Sequence, residues 1–430
     1  MAVAKKHSKQ LPQKGASVVL IVICIFLYGL SYFARVSYNV TLTELSSVIP
    51  FDTVGLIGTV YFLCYAIGQL LNGFAITKVS PFLYLPAGMS ITAACNLVMA
   101  FATSPALMTV VWGINGFAQS MLWAPILIIF TETIAPNLRD KALLWLSVAA
   151  PVGTLLCYLS GGVLIDFGYA YVFICAAALL FAGVAGFALF CFAARKKFVA
   201  VQQADSPVQQ ADSPESPVAT ETSAARKKAT VFTCMGLIPL CVLFLSVTVQ
   251  GILKDGMTTW VPTMLKDKFA LSSSLSVFLT MLLPVINVFG AFAATLLYRK
   301  LRGKNEFAIC AIFMGIAVAL TAVMLIPNIN EYGFVVLLSV ITTAMFGFNQ
   351  VSIVLIPLRF EAAGKVAVIS GALNAFTYLG SAIATYVIGL IRDRFSWTAV
   401  ILFVFAVAVS GAVAAVIGQL TDAAGRKRRL

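Results

Sequence analysis

Twelve runs of predominantly apolar residues follow one another along the chain, over residues 17–46, 53–76, 82–103, 106–133, 141–165, 170–193, 232–264, 273–298, 306–326, 333–356, 366–391 and 397–418. Each reaches the roughly 20 residues that cross a hydrocarbon core as a helix. Inside lipid every backbone N–H and C=O must be satisfied within its own segment, so such runs can cross only as helices. The expected fold class is an all-α membrane protein of twelve transmembrane helices. Composition agrees, because only 10% of the 430 residues are charged, against roughly 25% in soluble domains.

The joints between runs are short except for one. Residues 195–230 hold a direct repeat, VQQADSPVQQADSP, followed by ESPVATETSAARKK, rich in Pro, Ser, Gln and Ala and without an apolar period. Such a segment cannot bury enough apolar surface to offset its ordering entropy, so a disordered linker is expected. It divides the chain into a half over residues 1–194, the linker over 195–231, and a second half over 232–430, with six runs in each half and the halves pseudo-symmetric. With the N-terminus inside, 23 Lys and Arg residues fall on the cytoplasmic side and four outside, namely Lys266, Lys268, Arg392 and Arg394. That bias follows the positive-inside rule and places both termini in the cytoplasm, and the short loops fit a cell (inner) membrane. It also accounts for the net charge of +13 without a nucleic-acid partner; the lipid bilayer is the partner expected. Lys5, Lys6, Lys9 and Lys14 precede the first run much as in a signal peptide. The run outlasts the roughly 7–15 apolar residues of such a peptide, so a retained first span is expected.

Several chemistries are excluded. The sole histidine is His7, in the polar N-terminal tail, which rules out a histidine relay within the membrane. Nine cysteines are scattered through apolar runs without a CxxC pair, the pattern of small buried hydrophobes rather than of metal ligands. No nucleophile–base pair or phosphate-cradling glycine loop is evident, so neither an enzyme nor a cofactor is expected. Pro125, Pro151 and Pro284 within runs, and Pro357 at the end of the tenth, are expected to kink their helices.

Two cations lie within spans, Arg35 in the first and Lys254 in the seventh, its counterpart in the second half. An ionisable group at membrane depth costs about 3 kcal/mol or more, which makes both candidates for function. Related halves would aim them into one cavity near the membrane centre. Residues three or four apart share a helix face, and polar ones do so beside both cations. Tyr28, Tyr32, Arg35 and Asn39 form one stripe; Gln250, Lys254 and Thr258 form another. Tyr61, Tyr65 and Gln69 in the second span, Asn115 and Gln119 in the fourth, and Asn374, Tyr378 and Ser381 in the eleventh add similar faces. Two cations among hydroxyl and amide donors suit a small anion, with the guanidinium fork matching phosphate or carboxylate oxygens and Lys acting as a point charge. Structural alternatives stand beside this: Arg35 could bond backbone carbonyls, and Lys254 could pair with Asp255, although neighbours on an α-helix point about 100° apart. No other carboxylate reads as buried beside the site.

The stretches SYFARVSYNVTLTEL (31–45), GLIGTVYFLCYAIGQLLNGF (55–74), WGINGFAQSMLWAP (112–125), LKDGMTTWVPTMLKDKFALS (253–272) and NAFTYLGSAIA (374–384) resemble the major facilitator superfamily and, within it, the organophosphate:phosphate antiporters. The resemblance implies a major facilitator fold, acting as a monomer, that exchanges an organic phosphate for inorganic phosphate by alternating access. It implies that Arg35 clamps the phosphate from the first span. The family's second arginine falls on Lys254, which keeps the charge and loses the fork. The helix 5 histidine of the glycerol-3-phosphate antiporter has no equivalent in SVAAPVGT (147–154), its helix 8 glutamate falls near Leu282, and its helix 2 lysine falls on Gln69. The acidic residue usual between the second and third spans is missing from GFAITKVSPF (73–82), where Thr77 and Lys78 stand instead. Other readings are a transporter of an organic carboxylate or another anion, possibly cation-coupled, and a membrane-bound sugar-phosphate sensor, of which the family has an example.

Overall fold

A computed structural model describes residues 8–10, 14–195, 199–201, 235–301, 306–361 and 365–427. His7, Cys234 and the body of the expected linker lie outside the described residues. Among the described residues twelve apolar helices are long enough to cross a membrane, and they follow the sequence expectation closely. In the first set are α1 (Gly15–Val48), α2 (Phe51–Ala75), α3 (Pro81–Phe101), α4 (Pro105–Thr133), α5 (Lys141–Phe167) and α6 (Tyr169–Ala194). The second set holds α7 (Leu237–Phe269), α8 (Ser273–Lys300), α9 (Glu306–Val323), α10 (Glu331–Phe360), α11 (Val368–Arg394) and α12 (Trp397–Ala423).

Proline explains where these helices depart from regularity. A proline lacks the N–H that would bond four residues back and crowds that carbonyl. Accordingly α4 is interrupted between Gln119 and Trp123, ahead of Pro125, and α8 at Met281, ahead of Pro284. Pro357 sits in the 3₁₀ turn Ile356–Phe360 that ends α10, whereas α5 continues through Pro151. A second kind of irregularity has no proline. Residues Ile252–Gly256 of α7 and Gln350–Leu355 of α10 form wide π turns.

Helix pairing repeats between the sets. In the first, α1 packs on α5 and α6, α3 on α4 and α6, and α2 on α4; in the second, α7 packs on α11 and α12, α9 on α10 and α12, and α8 on α10. Adding six to each number in the first list gives the second, which is the pseudo-symmetry expected of the halves. Close approach depends on glycine where backbones nearly touch. A Cβ on Gly251 of α7 would lie 1.9 Å from the Thr377 carbonyl oxygen of α11, and one on Gly153 of α5 would lie 2.0 Å from that of Gly29 in α1. The halves meet through α2 against α11, α5 against α8, and α1 against α7.

Two expectations are corrected. Val199–Val201, assigned to the disordered linker, pairs antiparallel with Ser8–Gln10, with Ser8 opposite Val201. Its β-branched valines favour an extended chain that can pair. Cys241, expected to be buried, is exposed on the outer flank of α7. There a cysteine serves as a small apolar group facing lipid.

Candidate substrate cavity

An even number of crossings puts the start of α1 and the end of α12 on one end of the bundle. At the other end the halves are sealed together. Lys266 Nζ of α7 reaches Glu44 Oε1 of α1 at 3.2 Å and the Thr43 carbonyl at 2.7 Å, and the Ser273 hydroxyl also donates to Glu44. Trp260 Nε1 donates to the Thr385 carbonyl at 3.1 Å, and its ring stacks on Phe51 with centroids 5.8 Å apart. Arg392, paired with Asp267 at 3.3 Å, lies over the Phe51 ring with its guanidinium carbon 4.9 Å from the centroid.

Below this seal lies a cavity of about 550 Å³ between the halves, running toward the end that carries the termini. Its wall comes from α1, α2, α5, α7, α8, α10 and α11, with Trp112 of α4. Arg35 and Lys254 both line it, as the two-cation expectation requires.

Arg35 is held by aromatic rings rather than by a carboxylate. Its guanidinium carbon lies 5.0 Å from the Tyr65 ring centroid, 5.2 Å from Tyr378, 5.6 Å from Tyr32, 5.7 Å from Phe62 and 5.8 Å from Tyr61. Cation–π attraction of this kind is worth more when the pair is shielded from water. Nη1 donates to the Tyr378 hydroxyl at 3.3 Å, a contact that joins α1 of one half to α11 of the other. Gln69 Nε2 donates to the Tyr65 hydroxyl at 3.0 Å and so fixes one ring of the cage from behind. Among the described residues no carboxylate comes within ion-pair distance of Arg35. Its remaining N–H donors face the cavity with no carboxylate bonded to them.

Lys254 has a different environment. Its Nζ lies 2.9 Å from Asp255 Oδ2 and 5.0 Å from the Phe346 ring centroid. Both members of the pair line the cavity. This is the pairing that the sequence left open as the structural alternative for Lys254. The wide turn Ile252–Gly256 closes i→i+5 bonds, so successive side chains turn through a smaller angle than on an α-helix. The hydroxyls of Thr258 and Thr259 bond back to the carbonyls of Lys254, at 2.5 Å, and Asp255, at 2.8 Å, which fastens that turn.

Of the other polar residues singled out in the sequence, Tyr32, Asn39, Tyr61, Thr258 and Tyr378 line the cavity, while Tyr65 packs against the Arg35 guanidinium and Gln69 holds the Tyr65 hydroxyl. The rest do not reach it. Tyr28 packs between Tyr32 and Trp123, with centroids 5.2 and 5.1 Å away. Gln119 Nε2 donates to the Ser31 carbonyl at 3.2 Å, and Gln250 Nε2 donates to that of Met345 at 3.2 Å while its oxygen accepts from Thr377. These amides join helices to one another. Asn374 is not among the lining residues. Conversely, Ser147, Thr154 and Tyr158 of α5 and Asn287 and Thr295 of α8 line the cavity without having been picked out. The α5 set recurs at helical spacing around Pro151, a signal available in the sequence.

The profile of the Major Facilitator Superfamily matches residues 22–385. The chain belongs to the Major Facilitator Superfamily. It is a multi-pass membrane transporter of that superfamily, with the twelve-helix fold described above. Among characterised sequences it is 26% identical over 144 residues to a protein of Chlamydia muridarum (strain MoPn / Nigg) named "Probable hexose phosphate transport protein", an alignment covering 33% of this chain and 32% of that one. The protein of the same name from Chlamydia pneumoniae is 26% identical over 142 residues, covering 33% and 31%. The match thus spans about a third of the length of these relatives. Among solved structures, a bacterial homologue of the human lysosomal transporter Spinster, inward-facing and unoccupied, superposes with a TM-score of 0.76 at 15% identity, over 96% of this chain and 98% of that one. A D-xylose–proton symporter gives 0.69 at 13% identity, over 95% and 99%. At such identities the likeness concerns the fold.

Proposed function

We propose that this transporter carries a small organic phosphate across a cell (inner) membrane in exchange for inorganic phosphate, by alternating access, with both termini in the cytoplasm. The observation that carries the reading is the guanidinium of Arg35, placed at the junction of the halves with unmatched donors facing the cavity and without a carboxylate partner among the described residues. A guanidinium in a ring of aromatic side chains binds phosphoryl oxygens by paired, charge-assisted hydrogen bonds. The hexose phosphate transport proteins of Chlamydia that it is similar to support the same cargo class. Lys254 supplies a second cation from α7, and the Tyr32, Asn39 and Tyr378 side chains supply neutral donors. Substrate bound between Arg35 and α7 draws the halves together, so that closure on one side accompanies opening on the other. For this the ligand must bind the closed form better than the open one.

The test is exchange in liposomes holding the purified protein, loaded with unlabelled phosphate and given labelled phosphate outside. Uptake should depend on internal phosphate and should fall about a hundredfold in Arg35→Ala, the consequence of losing about 3 kcal/mol of charge-assisted bonding. A wild type that is folded and performs no exchange removes phosphate as the counter-substrate.

One observation favours a second reading, a cation-coupled carrier of an organic carboxylate: Asp255 stands in the cavity wall, where a coupling cation could bind. An exchange rate indifferent to pH and to sodium would dispose of it.

A further inference from the structure

Among the described residues three charged side chains line the cavity, Arg35, Lys254 and Asp255, beside the phenols of Tyr32, Tyr38, Tyr61, Tyr158 and Tyr378. Asp255 is engaged by Lys254 at 2.9 Å, on a turn held by Thr258 and Thr259. Counted together, the formal charge presented to a ligand is +1 rather than the +2 that two cations alone would give.

We propose that Asp255 makes this cavity selective for a singly charged phosphoryl group, a monoester carrying one proton or a diester, over the doubly charged monoester. The inference rests on the reading of the cavity as a phosphate site. A dianion entering beside Arg35 would leave one negative charge uncompensated and would meet the Asp255 carboxylate as well. In a partly desolvated site each is costly, since two unit charges about 4 Å apart interact by several kcal/mol at an effective dielectric of about 20. A monoanion is matched by Arg35 alone and leaves the Lys254–Asp255 pair intact. Asp255 is thus a specificity-determining residue, acting through the charge it removes from Lys254.

Methyl phosphate and dimethyl phosphate separate the two cases at pH 8. With a second pKa near 6 the monoester is a dianion there, and the diester is a monoanion at every relevant pH. Isothermal titration of the purified full-length protein should give a Kd for dimethyl phosphate at least about tenfold below that for methyl phosphate. Asp255→Asn should reverse that order. Asp255→Glu, which keeps the charge, should keep the wild-type order, and Asp255→Ser serves if the amide variant does not fold. A wild type that binds methyl phosphate as tightly as the diester, or an order unchanged in both neutral variants, overturns the proposal. Binding of neither ligand to wild type or to the neutral variants would instead sink the phosphate reading itself, and the inference with it.

Discussion

The Tyr378 hydroxyl accepts a hydrogen bond from Arg35 Nη1 at 3.3 Å, so the candidate anion-binding group of one half is positioned by the other half. Tyr378→Phe keeps the ring beside the guanidinium and removes only the acceptor. A hydrogen bond to a charged group is worth about 1.5–3 kcal/mol, and part of that is returned as the freed donor turns to ligand or water. Phosphate affinity should therefore change by about tenfold or less. Arg35→Lys, which keeps the charge and loses the paired donors, should weaken affinity more. Concentration-dependent exchange in liposomes measures both, and equal behaviour of Arg35→Lys and wild type would contradict a clamping role.

The helices and the two cations were legible in the sequence because both follow from cost. Apolar length is dictated by the bilayer, and a buried cation is too unfavourable to persist without a reason. Gln119 and Gln250 were misread because an amide within a span can equally bond a neighbouring helix, as each does here. Spacing along one helix does not say which neighbour its face meets. The pairing of Asp255 with Lys254 depends on the wide turn Ile252–Gly256, which no residue type in that stretch announces. The α5 stripe of Ser147, Thr154 and Tyr158 recurs at helical spacing and was legible in the sequence.

The seal opposite the termini rests partly on Glu44, Lys266 and Ser273, which join α1 to α7 and α8. Glu44→Gln weakens it without changing shape. The pair is about a third exposed, with side-chain values of 26% for Lys266 and 35% for Glu44, so a loss of about 1 kcal/mol or less is expected. Amide hydrogen exchange over residues 43–50 and 265–275 should quicken by a few-fold, because local opening governs that exchange. Unchanged exchange in both segments would show that the aromatic contacts hold this end without the ion pair.

Gly251 and Gly186 provide a matched pair. A Cβ on Gly251 would meet the Thr377 carbonyl oxygen at 1.9 Å, whereas one on Gly186 would meet nothing within 4 Å. Gly251→Ala must part α7 from α11 and should cost about 1–3 kcal/mol or more, as overpacking does. Its melting temperature in detergent and its yield should both fall. Gly186→Ala should match wild type in both, and a Gly251→Ala protein as stable as that control would refute the close contact.

Arg359, near the end of α10, bonds Glu306 of α9 through Nε at 3.0 Å and through Nη2, and reaches both carboxylate oxygens of Asp422 at 3.0 Å. The side chains are 16%, 4% and 12% exposed, so the cluster is well shielded from solvent. It ties three helices of the second half together at the end that carries the termini. In the first half Arg139 instead donates to the carbonyls of Phe130, Thr131 and Ile134, where α4 ends. Arg359→Met removes the cation that bonds both carboxylates, and breaking such a cluster costs about 3–5 kcal/mol. Arg139→Met uncovers carbonyls that water can reach, and about 1 kcal/mol is expected. The melting temperature in detergent should therefore fall clearly further for Arg359→Met than for Arg139→Met. Equal losses would mean that the two halves are fastened at this end by interactions of similar strength, against the asymmetry of their contacts.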